Sequence, residues 1–373
     1  MSQLSAVGTP DAPPIKDGLP LRVERDRTLR VKIIDACGMA CTFCHNEGTP
    51  VVADNLNVPR SAAMTGRGRS GRVSIYLADN GARFLPAAVS PDEEFAAVLA
   101  RLRDVLDLNE LHLTGGEPSL HPRLAHIVAA GRDAGFRVCM TSNGENAARI
   151  IPDCARAGLD RVNFSIFGTT AAELAQVQHH KFADIERASK KVLALRNSVQ
   201  VTLDHGVGAS ANIVVPDYTH ASRVHRLINE WAPELSVRLL NSLDEGIVSI
   251  DAIEHILDDL AAVPLAHHVT AGASGWRTSY QLPDGRVLWF KRIRPVRLPK
   301  TCAGCRFNNG KDCHEGYYGV RLYRDRSGGF QVGVCIQRMD LCLPVAQFLS
   351  SPLPQEIIDL RSEEYVHLSP ISA

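Results

Sequence analysis

The sequence has no surplus of charge: its 373 residues include 41 Lys and Arg and 41 Asp and Glu. This balance argues against a nucleic-acid-binding protein that depends on a broad basic surface, although a local pocket could still bind a phosphate. No apolar run approaches the length of a membrane-spanning helix, and residues 1–27 lack the apolar segment of a secretory signal. These absences predict a cytoplasmic protein that binds neither a membrane nor nucleic acid.

Cysteine, by contrast, is present in groups. The sequence has 10 cysteines, most of them towards the two ends of the chain. In the cytoplasm, grouped cysteines indicate metal or redox chemistry more often than disulfides. The first group, Cys37, Cys41 and Cys44, has the spacing C-x3-C-x2-C and directly follows an apolar, β-branched run at 29–34. A strand that ends in such a loop can wrap three thiolates around one inorganic centre.

Three thiolates are one too few for an ordinary 4Fe–4S cluster, which takes four. The missing ligand would leave one iron open to a small molecule, as catalytic metal sites keep one position free. The alternative is structural zinc bound by these cysteines and a histidine, of which His45 is the nearest. Adjacent residues rarely bind one tetrahedral ion without strain, so the sequence favours the cluster.

Strand and helix patterns alternate regularly from residue 90 onwards. Such alternation indicates right-handed crossovers and a parallel sheet, with ligands at the carboxyl ends of the strands. Together with the strand before the first cysteines, six strand–helix units predict an open partial barrel, although the pattern alone fits a flat doubly wound sheet equally well. The predicted strands lie at 110–114, 136–141, 161–166, 199–215 and 236–240, and the predicted helices at 90–106, 147–157, 184–196, 219–231 and 250–262, with a further helix from residue 122.

The motif Gly115-Gly116-Glu117-Pro118 ends the second strand of the predicted sheet. Two glycines let the backbone come close to a ligand, and a carboxylate beside them can accept a hydrogen bond from an ammonium group. Gly-Gly-acid-Pro is also ordinary turn chemistry. Its position some seventy residues after the cysteine loop favours a role in ligand binding.

Polar residues also stand on the later strands. Ser142 and Asn143 follow the third strand, and Ser165 ends the fourth. A capped helix start or a surface turn would explain Asn143 equally well. Asn212, within the fifth strand, is predicted to point into an otherwise apolar barrel.

A second group of cysteines comes after residue 264, where the regular alternation of strand and helix patterns ends. Cys302, Cys305, Cys313 and Cys335 could hold zinc or an auxiliary iron–sulfur cluster. Three ligands would leave an iron open for substrate, whereas four would make the cluster an electron relay or a structural clasp. A basic run at 291–297 precedes this group and either binds a phosphate or carboxylate or is a solvated edge strand.

Taken together, the first cysteine loop and the Gly-Gly-Glu-Pro motif resemble those of the radical S-adenosylmethionine (SAM) enzymes. In that family the amino and carboxylate groups of SAM chelate the open iron of the 4Fe–4S cluster. One electron then splits the sulfonium and releases a 5′-deoxyadenosyl radical. The resemblance implies an α/β fold, a partial (β/α)6 barrel with a smaller, cysteine-rich α+β extension.

The resemblance also assigns roles to residues around SAM. Phe43 stands where the family has an aromatic residue near the adenine. Gly115, Gly116, Glu117 and Pro118 would bind the SAM amino group, and Ser142, Asn143 and Ser165 its carboxylate or ribose. Asn212 is predicted as a further cofactor-binding residue.

Within the family, the sequence is most similar to the branch of molybdenum-cofactor GTP 3′,8-cyclases. The similarity lies in residues 44–48, 113–118 and 142–144, and in Cys302, Cys305 and Cys313, which fit the auxiliary-cluster pattern of that branch with a shorter last gap. The second cysteine group also resembles the twitch or SPASM extensions of other radical SAM enzymes. The chain ends in 368–373 without the Gly-Gly tail of the cyclases, so GTP itself is not implied as the substrate.

These observations predict three parts: a loosely ordered arm at 1–27, a barrel at 28–264 with an insertion at 49–89, and an auxiliary-cluster extension at 265–373. The predicted reaction removes hydrogen from a small nucleotide-like or natural-product substrate, with electrons from an external donor such as flavodoxin or ferredoxin. One alternative is a peptide maturase that forms cross-links in a ribosomal precursor, although no leader-peptide-binding domain is recognisable before residue 28. The other is a zinc-stabilised binding module without catalysis.

Overall fold

The computed structural model describes residues 18–42, 81–309, 313 and 316–369. Phe43, Cys44 and most of the predicted insertion at 49–89 lie outside the described residues. The strands are β1 Leu21–Arg25, β2 Thr28–Ile34, β3 Pro86–Ala87, β4 Glu110–Gly115, β5 Arg137–Ser142, β6 Leu159–Ser165, β7 Gly208–Val215, β8 Ser236–Asn241, β9 Val263–Ala271, β10 Gly275–Gln281, β11 Val287–Ile293, β12 Val320–Asp325, β13 Phe330–Gly333 and β14 Leu343–Pro344. The helices are α1 Glu93–Leu106, α2 Leu124–Asp133, α3 Ala147–Arg156, α4 Ala171–Gln176, α5 Ile185–Asp204, α6 Ala221–Glu230, α7 Ile247–Asp259, α8 Val345–Ser350 and α9 Leu353–Leu368.

Six parallel neighbours, in the order β2-β4-β5-β6-β7-β8, form the centre of the sheet. Helices connect them along the chain, as expected for right-handed crossovers. Apolar residues on one face of each strand pack against the helices, for example Leu111 and Leu113 of β4 against the core that contains Leu102 of α1. This arrangement confirms the predicted α/β fold and its six-stranded parallel core.

The sheet curves back on itself without closing. Its full order is β1-β9-β10-β11-β8-β7-β6-β5-β4-β2-β12-β13-β14, with β3 paired to β12. The consecutive strands β1 and β2 occupy distant places in this order, yet only residues 26 and 27 separate them in the chain. The two flanks also meet at a bridge between Val296 and Gly316. A flat sheet cannot satisfy these connections, so the sheet is a curved, open barrel.

Two predictions about local structure were wrong. Residues 18–27 were expected to belong to a loosely ordered arm, but Leu21–Arg25 forms β1, which pairs in parallel with β9. The long strand predicted at 199–215 is a helix in its first half, because α5 continues to Asp204 and β7 begins only at Gly208. The β-branched residues Val199 and Thr202 are buried on the helical face that also carries Leu195, so tertiary packing overrides their strand propensity.

The C-terminal region adds strands to the same sheet. β10 and β11 form an antiparallel hairpin, and Asp284-Gly285 lies in the turn between them. β11 pairs in parallel with β8, and β12 pairs in parallel with β2. β11 is therefore an interior strand, which rules out the edge-strand explanation for the basic run. The division of the chain at residue 264 stays a prediction. In the described ranges no helix is long and apolar enough to cross a bilayer.

Arg361 connects the last helix to the barrel. Its side chain is buried, and Nη1 donates to the carbonyl oxygen of Leu106 at 2.8 Å, while Nη2 lies 3.9 Å from the buried carboxylate of Asp26. Loss of one partner leaves a buried charge uncompensated, which typically costs about 3–5 kcal/mol.

Arg361→Met should therefore lower the free energy of unfolding by about that amount, as measured by urea denaturation. Glu363→Ala, an exposed change on the same helix, is the control and should stay within about 0.5 kcal/mol. Equal unfolding midpoints for both variants would contradict the assigned role of Arg361.

Candidate functional site

A cavity of about 730 Å³ runs through the interior of the curved sheet. We call it the barrel cavity. It extends from the amino ends of the parallel strands, at Glu110, Arg137 and Arg161, to their carboxyl ends, at Gly115 and Ser142. Cys37 and Cys41 of the first cysteine group line it at the latter end. The cavity is large enough for a cofactor and a small substrate together.

The two described sulfurs of the cysteine loop accept hydrogen bonds from amide groups. Cys37 Sγ accepts from Met39 N at 3.4 Å and from Asn143 Nδ2 at 3.5 Å. Cys41 Sγ accepts from Gln178 Nε2 at 3.1 Å. Gln178 also accepts from Ala40 N at 2.8 Å through Oε1. Amide donors to sulfur stabilise thiolates and tune the potential of an iron–sulfur cluster, so these contacts suit thiolate ligands.

The glycine motif holds the cysteine loop through its backbone. Gly116 N donates to Ile34 O, and Glu117 N donates to Ala36 O, both at 2.7 Å. A Cβ atom on Gly116 would overlap the carbonyl oxygens of Asp35 and Ala36. Glycine is therefore required here for the close approach of two backbones, and the motif positions the loop that carries Cys37 and Cys41.

The carboxylate of Glu117 links the same motif to the loop after β5. It is buried and accepts from Ser142 Oγ at 2.6 Å, Asn143 N at 2.6 Å and Ser119 N at 2.9 Å. Burial raises the pKa of Glu117, and these hydrogen bonds oppose the rise. Glu117 thus orients the loops around the cavity, which the sequence motif alone did not indicate.

A second carboxylate, Glu145, supports the cysteine loop from the other side. Its Oε1 accepts from Gly38 N at 2.7 Å, and its Oε2 accepts from Lys191 Nζ at 2.6 Å. The Glu145 and Lys191 side chains are largely buried. A Cβ atom at Gly38 would overlap the Glu145 carboxylate. Sequence reasoning missed this pair because Lys191 belongs to α5, far along the chain.

Most of the residues predicted to bind SAM come together in the barrel cavity. Pro118 does not line it but begins a short, buried 3-10 turn. Asn241, at the end of β8, accepts from Ile293 N at 3.2 Å and so joins β8 to β11. The predicted residues that line the cavity are Gly115, Gly116, Glu117, Ser142, Asn143, Ser165 and Asn212.

The prediction that Asn212 points into an otherwise apolar barrel was wrong about the barrel. Polar and charged side chains alternate with apolar ones along each strand and face the cavity, for example Glu110, His112 and Thr114 of β4. Asn163 Oδ1 accepts from Ser210 Oγ at 2.6 Å and from Arg238 Nη1 at 3.1 Å. The interior is therefore a hydrogen-bonded polar surface.

The charge states at the amino ends of the strands follow from this packing. Burial lowers the pKa of His112 to about 4, so it is neutral at pH 7, and its Nε2 lies 2.8 Å from Thr141 Oγ1. Burial would raise the pKa of Glu110, but His112, Arg161 and Arg137 lower it to about 2. Burial also lowers the pKa of Arg238, to about 10. This end of the cavity thus holds an ionised carboxylate among arginines.

Cations outnumber anions in the wall of the cavity. Among the described lining residues, nine are Arg or Lys and four are Asp or Glu. Arg30 lies directly opposite Arg321 in the β2–β12 pair, and Arg277 lies opposite Lys291 in the β10–β11 pair. Like charges directly opposite each other destabilise a sheet.

The ring of Tyr318 stands among these cations. Arg30, Arg321 and Lys291 lie 4.4, 5.2 and 5.8 Å from its centroid. In the part of the chain that the structure describes, neither Arg30 nor Lys291 has a carboxylate within 4.0 Å. We call Arg30, Arg277, Lys291, Arg321 and Tyr318 the cationic group. It is a site of positive potential that an anionic ligand would stabilise.

The second group of cysteines lines a separate, smaller cavity. Cys302, Cys305, Cys313 and Cys335 all face it, so the structure brings the four predicted auxiliary ligands together. Cys342 packs instead in an apolar cluster with Met339 and Tyr323. Cys139 and Cys154 are buried within β5 and α3, where burial raises the pKa of each thiol to about 12.

A family model described as the Radical SAM superfamily matches residues 31–208, which include part of β2, the cysteine loop, the glycine motif and the elements up to α5. The chain contains a radical SAM domain. Members of this superfamily bind a 4Fe–4S cluster and SAM, and the amide donors to Cys37 and Cys41 at the mouth of the cavity fit such a cluster.

Curated proteins similar to this chain are named "Probable GTP 3',8-cyclase". The protein of that name from Saccharolobus islandicus (strain L.S.2.15 / Lassen #1) is 24% identical over 306 residues, which cover 80% of this chain and 83% of the relative. The protein from Metallosphaera sedula is 24% identical over 308 residues, which cover 80% and 81%. Among solved structures, Streptococcus suis SuiB bound to precursor peptide SuiA has a TM-score of 0.48 at 10% identity, covering 90% of this chain and 67% of that chain. That similarity is too low to carry an argument.

Gly116→Val tests whether the glycine motif positions the first cysteine loop. The added side chain would push the backbone at Asp35 and Ala36 away from β4, so the variant should lose about half of the iron bound by the parent, if each of two clusters takes four irons. Iron and sulfide analysis after anaerobic reconstitution measures this. Gly329→Ala, outside both groups of cysteines, is the control, because a Cβ there meets its nearest atom, Asp325 Oδ2, at an ordinary contact distance of 3.4 Å. Full iron content in Gly116→Val would refute the positioning role.

Proposed function

We propose that this radical SAM enzyme removes a hydrogen atom from a small, anionic, nucleotide-like substrate held in the barrel cavity. The observation that carries the proposal is the shared cavity: Cys37 and Cys41 line the same space as the cationic group. A radical generated at the cysteine loop would therefore reach a substrate bound in that space without leaving the protein. The curated relatives are named probable GTP 3',8-cyclases, and this name supports a nucleotide-like substrate.

Cys37, Cys41 and Cys44 are the proposed ligands of the first cluster. With SAM bound, this cluster supplies a 5′-deoxyadenosyl radical that abstracts hydrogen from an unactivated carbon. Reductive cleavage of SAM consumes one electron, so the enzyme needs an external donor such as flavodoxin or ferredoxin. The remaining steps depend on how side chains of the cavity bind and orient the two small molecules.

The loops at the carboxyl ends of the strands are the proposed SAM site. Glu117 holds Ser142 and Asn143 in place, and Asn143 also touches Cys37. Ser165 and Asn212 lie on the neighbouring strands β6 and β7, directly opposite each other. Ser142 and Asn143 are held by Glu117, and Ser165 and Asn212 belong to strands of the sheet. These groups would therefore fix the orientation of SAM relative to the thiolates of the first cysteine group.

The cationic group is the proposed site for the substrate's anionic part. Its opposed pairs Arg30–Arg321 and Arg277–Lys291 cost stability in the empty protein. A phosphate between them would accept charge-assisted hydrogen bonds and offset the repulsion. The polar network of Asn163, Ser210 and Arg238 would then face the uncharged part of the substrate. The final rearrangement, cyclisation or bond formation depends on that part.

The triple variant Cys37→Ala, Cys41→Ala, Cys44→Ala tests the radical chemistry. Without these thiolates no first cluster forms, so the production of 5′-deoxyadenosine from SAM under dithionite should fall to background. Chromatography of the reaction products measures it. Cys154→Ala, a buried thiol in α3, is the control and should keep the parent rate. Production of 5′-deoxyadenosine by the triple variant would contradict the assignment of these three cysteines as the ligands of the first cluster.

Arg30→Ala tests the anion site, with GTP as the probe. Hydrogen bonds to charged groups contribute about 1.5–3 kcal/mol, so the dissociation constant for GTP should rise at least about tenfold. Calorimetry with the reconstituted enzyme measures the constant, and added salt should weaken binding to the parent more than to the variant. Arg22→Ala removes the same charge from an exposed position on β1 and should change the constant less than twofold. Equal affinity of Arg30→Ala and the parent would contradict the proposed site.

A further inference from the structure

Four thiols surround the small cavity near the C-terminus, and they come from three separate segments. Cys302 and Cys305 follow β11, Cys313 precedes β12, and Cys335 follows β13. We call this space the thiol cavity. Arg297 and Arg338 also line it. Arg297 Nη2 donates to the carbonyl oxygen of Cys313 at 2.6 Å, which holds this cysteine against the cavity.

The thiol cavity and the barrel cavity are separate. None of these four cysteines lines the barrel cavity, whereas Cys37 and Cys41 do. The segment 316–319 forms the wall between the two spaces. Tyr317 is 1% exposed and faces the thiol cavity, and the next residue, Tyr318, faces the barrel cavity. Tyr317 N donates to Val296 O at 2.6 Å, which fixes the wall to the segment after β11.

The thiols surround a space and do not converge on a point. A tetrahedral zinc ion needs every sulfur about 2.3 Å from one centre. Within the described residues, no three His, Cys, Asp or Glu side chains are close enough together to hold a single metal ion. Four thiols around a cavity fit the larger 4Fe–4S cluster, in which each cysteine binds a different iron.

From these observations we infer that the auxiliary cluster is closed: Cys335 is its fourth ligand beside Cys302, Cys305 and Cys313, and the substrate does not bind to its iron. The cluster clasps the three C-terminal segments together, and the substrate is held by side chains of the barrel cavity alone. This inference depends on an auxiliary cluster being present but not on the identity of the substrate.

The test isolates the auxiliary cluster in the variant Cys37→Ala, Cys41→Ala, Cys44→Ala, which serves as the parent. After anaerobic reconstitution, the sample is treated with ferricyanide, which removes an iron that lacks a thiolate ligand and leaves a three-iron cluster with its own electron paramagnetic resonance signal. The parent should retain its four-iron cluster. When Cys313→Ala is introduced into this parent, the three-iron signal should increase several-fold, because one iron of the cluster then lacks a thiolate ligand.

Cys342→Ala is the matched control, since this buried thiol is near the cluster segments but does not line the thiol cavity. It should behave like the parent. A strong three-iron signal from the parent itself, or zinc without sulfide, would overturn the inference, and this result does not depend on whether the Cys313 variant folds.

A second measurement uses GTP as the probe. Addition of GTP to the reduced parent should leave the resonance spectrum of the auxiliary cluster unchanged, because no iron is free to bind it. A GTP-induced shift would show an open iron and refute the closed cluster. Failure of the parent to bind GTP in the barrel cavity would contradict the proposed substrate class but would leave the ferricyanide result to decide the ligand set.

Discussion

The arrangement of the site depends on the backbone contact between the β4 loop and the cysteine loop. Two hydrogen bonds of 2.7 Å, from Gly116 N and Glu117 N to the carbonyl oxygens of Ile34 and Ala36, hold these loops side by side. Such a contact is available only because Gly116 has no side chain. The Glu117 carboxylate accepts hydrogen bonds from Ser142 and Asn143, and so it fixes the loop after β5 relative to the glycine motif. One short motif thus places the thiolates and the candidate SAM contacts with respect to one another.

The interior of the barrel shows a different compromise between stability and function. A barrel of this kind could be filled with apolar side chains, and the burial of arginines and of Glu110 costs desolvation free energy. Here the outward faces of the strands supply the apolar core, for example through Leu111, Leu113 and Phe164, while the inward faces carry the polar groups. The fold is stable because the hydrophobic layer lies between sheet and helices, which leaves the interior free to serve a ligand.

The sequence predicted the parallel core well because its signals are local and periodic. The alternation of strand and helix patterns, the C-x3-C-x2-C loop and the glycine motif each lie within a few neighbouring residues. The failures have a common cause. Contacts between residues far apart in the chain decide whether 199–204 is helix or strand. Such contacts also place Arg30 opposite Arg321. The alternation in Glu110-Leu111-His112-Leu113-Thr114 did signal a polar interior, since a strand with helices on only one face leaves its other face open to polar groups.

The two cysteine sites also differ in what surrounds them, and this difference bears on how the substrate is recognised. Cys37 and Cys41 open onto the barrel cavity, where a loop between strand and helix leaves room for a ligand at the cluster. The four C-terminal thiols lie behind Tyr317, on the far side of the wall at 316–319. A substrate bound in the barrel cavity, as proposed, would meet the hydroxyl and ring of Tyr318, the amides of Asn163 and Asn212, and the guanidinium groups of Arg30 and Arg238. Side chains of this kind discriminate by hydrogen bonding and charge, so under this proposal substitutions on the inward faces of the strands would change the substrate range without disturbing either set of cysteines.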